Sequence, residues 1–122
     1  MKRSMMHVYV KQSDKAVALY QKAFDAKLIS SYPNPDGTYY HAELDVYGQV
    51  LALTELKDDN VVTGNIMQFC LHFGEGNEAL VRKIYDVLKE DAEITLPLSS
   101  CEWSSLAVGL IDKFGVHWGI FV

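Results

Sequence analysis

Cysteine, proline, clustered positive charge and long apolar runs are all scarce in this 122-residue chain, and each shortage closes off a class of protein. The two cysteines, Cys70 and Cys101, cannot build the disulfide framework of a small secreted domain and lack C-x-x-C spacing, so buried free thiols are expected. No run approaches the ~20 apolar residues that a membrane span needs. The opening MKRSMMHVYVK reaches Lys11 before any apolar stretch long enough for a signal peptide, so a cytoplasmic location is expected. Eleven basic residues against sixteen acidic ones leave a net charge of −5, and the cations are scattered apart from Lys2 with Arg3 and Arg82 with Lys83. Phosphate backbones and anionic lipid surfaces are bound through clustered Lys and Arg, so neither nucleic acid nor membrane is expected as a partner. No phosphate-cradling glycine loop, Ser-His-Asp order or low-complexity tract can be assembled.

What is present is a repetition. At 49% hydrophobic residues the chain suits one compact domain, residues 1–122, and reads as the same unit twice: a strand, an amphipathic helix and three strands. The modules cover about 1–56 and 65–122, joined by a polar, unpatterned link over 57–64. In the first, strands are expected over 5–11, 27–32, 38–46 and 49–56, with a tight turn at Asn34, Pro35, Asp36 and Gly37 and a hairpin across Tyr47 and Gly48. Ser13 or Asp14 is placed to cap a helix whose apolar stripe is Ala16, Leu19, Tyr20, Ala23 and Phe24. In the second, strands are expected over 65–73, 92–98, 102–111 and 116–122. Leu80, Ile84, Val87 and Leu88 repeat the stripe of Ala16, Tyr20, Ala23 and Phe24 at a constant offset of 64 residues, which supports duplication. The fold class is therefore α+β, two βαβββ modules, and two open half sheets that curve together with helices outside would enclose a pocket for a small molecule.

Strand side chains alternate between faces, so parity sorts them. Met6, Val8 and Val10, and Met67, Phe69, Leu71 and Phe73, are expected to face the helices, as are Leu51, Leu53, Trp118 and Ile120. The opposite, concave face then carries His7, Tyr9, Gln68, Cys70, His72, His117, Gly119 and Phe121. On the third strand Tyr40, Ala42, Leu44 and Val46 are set against His41, Glu43 and Asp45, so all four histidines land on the concave side.

The helix A-V-A-L-Y-Q-K-A-F-D-A after Ser13 and Asp14 resembles the opening of the vicinal oxygen chelate superfamily, the glyoxalase and bleomycin-resistance fold. The closing run WSSLAVGLIDKFGVHWGI is similar to its PhnB-like branch, where a tryptophan, a glycine before an Asp-x-Phe-Gly-Val turn and a second tryptophan recur. The resemblance covers nearly the whole chain and implies a homodimer. In the superfamily's enzymes the first and last strands of each module hold a divalent metal. His7 and Gln68 match the first-strand ligand positions by their seven-residue spacing to Asp14 and Glu75, whereas the last-strand positions fall on Ala52 and Gly119, which cannot coordinate. A catalytic divalent ion needs about three protein ligands, so no metal and no other cofactor is expected.

The candidate ligand-binding residues are His7, Tyr9, His41, Glu43, Gln68, Trp103 and His117. His7 suits a ligand contact or general base near neutrality, or a histidine bonded to a neighbouring strand. His41 and Glu43 suit an acid and base pair or an exposed polar strand face, and His117 a pocket or rim residue. Tyr9 and Trp103 would stack on a flat ligand, with core or dimer-interface packing the other reading of Trp103. Trp118 is assigned to the core, and no neighbour activates Cys70 as a nucleophile. The expected function is metal-free binding of a small organic molecule; the alternatives are a metal-dependent lyase, isomerase or dioxygenase-like enzyme using His7 and Gln68, and a regulatory protein with a vestigial site.

Overall fold

The computed structural model describes residues 1–122 and contains two helices and eight strands. They fall into two compact units, Met1–Val61 and Val62–Val122. No helix is long and apolar enough to cross a membrane.

In the first unit the order is β1 (Met6–Val10), α1 (Ser13–Phe24), β2 (Lys27–Pro33), β3 (Tyr39–Val46) and β4 (Gln49–Glu55). The sheet runs β1-β4-β3-β2, with β1 parallel to β4 and the other pairs antiparallel. A parallel pair needs a long crossover, which α1 and the β2–β3 hairpin provide. Parity holds on β1, where Val8 and Val10 are buried while His7 and Tyr9 are exposed. Ala16, Val17, Tyr20, Ala23 and Phe24 of α1 are buried with Leu44, Leu51 and Leu53 of the sheet, and each large side chain so enclosed stabilises the unit by about 1.5–3 kcal/mol. Tyr40 departs from parity at 64% exposed, because the register with β2 shifts there, from Tyr32–His41 to Pro33–Tyr39, and leaves Tyr40 as the bulged residue.

The start of α1 differs from the expected Ser or Asp cap. Gln12 precedes the helix in a left-handed conformation (φ 57°), and no side chain at that position caps it. Glu55, at the end of β4, does so instead: its carboxylate accepts the N–H groups of Gln12 and Ser13 at 3.2 and 2.9 Å. Ser13 Oγ donates to Glu55 at 2.8 Å and accepts the Tyr39 N–H at 2.8 Å, tying the helix start to β3 and β4. A carboxylate there also offsets the positive end of the helix dipole.

The second unit repeats the plan with β5 (Phe69–His72), α2 (Glu78–Leu88), β6 (Glu93–Cys101), β7 (Ser104–Ile111) and β8 (His117–Phe121), in sheet order β5-β8-β7-β6 with β5 parallel to β8. Val81, Ile84 and Leu88 of α2 are buried, as are Leu110, Trp118 and Ile120. Trp118 is fully enclosed and donates its indole N–H to buried Asp112 at 2.9 Å. The Asp112 carboxylate also accepts the N–H groups of Phe114 and Val116, which holds the β7–β8 turn.

β5 is shorter than the expected strand over 65–73. It pairs with Trp118–Phe121 in register, so residues before Gln68 would run past the start of β8 into the turn, where no ladder partner exists. Met67 is accordingly 73% exposed rather than packed on the helix side. The thiol expectation also fails in part: Cys70 is exposed and Cys101 half-buried.

Candidate functional site

Strand register assembles the polar face of the first sheet. His7 on β1 lies opposite Ala52 on β4, Ala52 opposite Glu43 on β3, and Glu43 opposite Ser30 on β2, which forms one row across the face turned away from α1. Along the next row Tyr9 pairs with Thr54, and His41 with Tyr32. Ala52, the smallest side chain in the first row, separates a histidine from a carboxylate without covering either.

The contacts bind these rows into a cluster. The Tyr9 ring stacks on His7 at 4.7 Å between centroids, and the His41 ring meets His7 edge-on at 5.6 Å. His7 Nε2 lies 2.8 Å from Thr54 Oγ1. Tyr32 lies beyond His41 at 6.4 Å. Glu43 is only 6% exposed, and both of its oxygens are occupied: Arg3 donates to them at 2.6 and 3.2 Å, and His41 Nε2 lies 3.1 Å from Oε2.

The electrostatics follow from these partners. The Arg3 guanidinium, and secondarily His41, hold the Glu43 carboxyl down at about 2 against an ordinary 4.5, so it is ionised at every physiological pH. An ionised carboxylate only accepts, so the proton in the His41 contact belongs to Nε2 of the imidazole. The His7 pKa is lowered, first by partial burial and then by His41, with Glu43 opposing. His7 is therefore held towards the neutral imidazole, which can accept a proton or a hydrogen bond from a ligand.

The structure brings four of the seven expected residues, His7, Tyr9, His41 and Glu43, into one cluster. Glu43 is buried and doubly bonded rather than part of an exposed polar face. Arg3 and Thr54 complete the group without having been singled out. Thr54 was legible from parity on β4, but no sequence signal ties Arg3 to a residue forty positions away.

The other three expected residues lie in the second unit. Gln68 precedes β5 rather than standing within it, and its side chain lies over Gly119, where an added Cβ would come within 2.9 Å of it. Gln68 Nε2 is 3.2 Å from His117 Nε2, and the Cys70 thiol donates to Gln68 Oε1 at 3.2 Å. His117 Nδ1 is buried without a partner. Trp103, 62% exposed, meets Phe121 edge-on at 5.1 Å, and Phe121 stacks on His72 at 4.6 Å. Register places Cys70, not Gln68, opposite Gly119 as His7 stands opposite Ala52. The seven-residue spacing misleads because the β5–α2 connection, 73–77, is longer than the two residues between β1 and α1, and its Gly74 and Gly76 take positive φ.

Neither unit by itself presents a donor set that fits the superfamily's divalent ion. Ala52 and Gly119 offer no ligand atom, the Gln68 amide occupies the space above Gly119, Glu43 is taken up by Arg3, and Glu55 caps α1. No three His, Cys, Asp or Glu side chains converge at ligand spacing.

A repeated βαβββ unit, each copy with its first and fourth strands paired in parallel and a helix on one face, defines an α+β protein of the glyoxalase fold. The family model for the Glyoxalase/Bleomycin resistance protein/Dioxygenase superfamily matches residues 4–120, and the chain belongs to that superfamily. Among solved structures it is similar to the PhnB protein from Bacillus cereus, with a TM-score of 0.82 and 20% identity, covering 98% of each chain. The fosfomycin resistance protein FosX from Listeria monocytogenes superposes with a TM-score of 0.73 at 13% identity, over 98% of this chain and 91% of that one. A sequence relative, the uncharacterised protein Mb0911c of Mycobacterium bovis, is 26% identical over 121 residues, which is 93% of this chain and 78% of the relative.

Proposed function

We propose that this chain is a PhnB-like superfamily member that binds a small organic molecule on the polar face of its first sheet, without the superfamily's usual metal. The observation that carries this reading is the stacked pair Tyr9 and His7 beside half-buried His41 and buried Glu43. Small-molecule sites combine apolar or aromatic surface with a few fixed polar groups, and this cluster has both. Resistance proteins within the superfamily, FosX among the structural neighbours, favour a ligand of drug-like size over a macromolecule.

The protein acts in the cytoplasm as a homodimer on this reading. Superfamily members often form dimers. Trp103, Ile94 and Leu96 of the second unit leave apolar side chains exposed, as an interface between copies requires. The net charge of −5 argues against nucleic acid or anionic membrane as a partner.

A thermal-shift screen with planar aromatics and peptide drugs tests the proposal. A ligand at 100 times its Kd adds about 2.7 kcal/mol of stability, and the ring resonances of Tyr9 and His7 should move with it. A screen in which no compound class shifts either readout would end this reading. Metal analysis of protein purified without chelator tests the metal-free clause: a stoichiometric divalent ion that disappears in His7→Ala would replace it with a metal-dependent enzyme.

A further inference from the structure

We propose that Glu43 anchors a subsite for an organic cation, and that Arg3 occupies it in the free protein in place of a ligand's amidinium, guanidinium or amine. The inference rests on the reading that the ligand lies on this face, and adds its chemical class.

A carboxylate enclosed on a sheet face needs a charged partner, because an unpaired buried charge is among the costliest groups in a protein. The sheet supplies only the His41 imidazole. The full positive charge comes from Arg3, in the stretch before β1 that has no regular secondary structure and whose first four residues are all exposed. The Arg3 side chain is 48% exposed while the Glu43 side chain is 7% exposed, so the cation reaches in from outside and the anion is part of the floor. A partner that reaches in on a half-exposed side chain can be displaced, provided that the incoming group carries the positive charge that the buried carboxylate requires.

The walls suit the same class of ligand. Tyr9 and Tyr32, 59% and 61% exposed, stand on either side of the imidazoles of His7 and His41, and aromatic faces attract organic cations through the ring quadrupole. Arg3 already shows the geometry that Glu43 accepts, two N–H groups on two oxygens, and a planar amidinium offers the same fork. Ala52 leaves the approach open between His7 and Glu43.

Benzamidine is the test probe, with benzamide and benzoate as its neutral and anionic counterparts, each titrated against the full chain while the imidazole resonances of His7 and His41 are followed by NMR. Benzamidine alone should move them. Arg3→Ala should tighten benzamidine by about fivefold or more, because the internal competitor is gone. Glu43→Gln should weaken it by about tenfold or more, and if that variant does not melt cooperatively, Arg3→Ala decides alone, since it must gain affinity. Equal shifts from benzamide or benzoate would overturn the cation assignment and leave the binding face standing. Silence from all three probes would overturn the cation subsite, and the wider compound screen would then decide the binding face. Unchanged or weaker benzamidine binding in Arg3→Ala would overturn the stand-in role of Arg3.

Discussion

Across the first sheet, from β1 to β2, the central row reads His7, Ala52, Glu43 and Ser30; across the second, from β5 to β6, it reads Cys70, Gly119, Gly109 and Leu96. The helix-facing sides differ far less: Leu51 and Leu53 on β4 answer to Trp118 and Ile120 on β8, and all four are fully buried. The lesson is that two copies of one unit can share a scaffold while their polar faces diverge: the first gathers two imidazoles by a buried carboxylate, the second an amide, a thiol and one imidazole by a glycine. In the second unit the glycines give up their own side chains and neighbours fill the space: Gln68 over Gly119, and Thr95, whose Oγ1 lies 2.8 Å from where a Cβ on Gly109 would stand.

The comparison can be broken at several points, the strongest first. Trp118→Ala should destabilise the protein by about 3–5 kcal/mol in urea unfolding, since it opens a large cavity and strips buried Asp112 of a donor. Leu51→Ala, its counterpart, should fall in the same range or below; a negligible cost there would mean that the two helix-facing cores are not equivalent. Gly109→Val should cost about 1–3 kcal/mol, because the new side chain meets Leu96 Cβ at 3.2 Å as well as Thr95. Gly119→Ala should cost less, since it displaces only the end of Gln68, and the His117 imidazole signals should then move.

Helix entry separates the units further. Glu55→Ala should cost about 1–2 kcal/mol, through the loss of an acceptor for the two N–H groups at the start of α1. Asn77→Ala should cost less in the same assay, because the Asn77 side chain donates to the Phe73 and Gly74 carbonyls and caps no helix amide. The acid dependence of stability belongs to the first unit and centres on Glu43. A carboxyl whose folded pKa lies below its unfolded value stabilises the fold above about 4.5 and loses that contribution as pH falls towards about 2. Glu43→Gln should remove this part of the acid slope of unfolding free energy. The lowered pKa of His7 has the same sign at higher pH: its contribution is complete above 6.5 and declines below it, so His7→Gln should flatten stability in that window.

Much of this architecture is legible in the residues because local signals agree there. The β1 alternation of Val8 and Val10 against His7 and Tyr9 and the turn at Tyr47 and Gly48 read correctly, since each depends on near neighbours, and so does the α1 stripe except that Val17 is buried and Leu19 only half-buried. The shared face of His7, Tyr9, His41 and Glu43 follows from parity on two strands. The Arg3 contact does not, because a side chain that precedes the first strand carries no periodicity to say where it lands. The cap of α1 is missed for a related reason: Ser13 has the right chemistry for a cap, but a carboxylate more than forty residues on takes the amides. The length of β5 is hidden because it is set by where β8 begins.

That Glu55 holds the first turn of α1 has a consequence for the order in which the chain acquires structure during synthesis. β1 bonds to no strand but β4, so the first strand and the opening of the first helix both wait for the segment that emerges last from that unit. A nascent chain halted before residue 49 would carry a helix with loose leading amides and an unpaired first strand. The β1–β4 pairing and the closure of the first turn of α1 can therefore be completed only once Glu55 has cleared the ribosome.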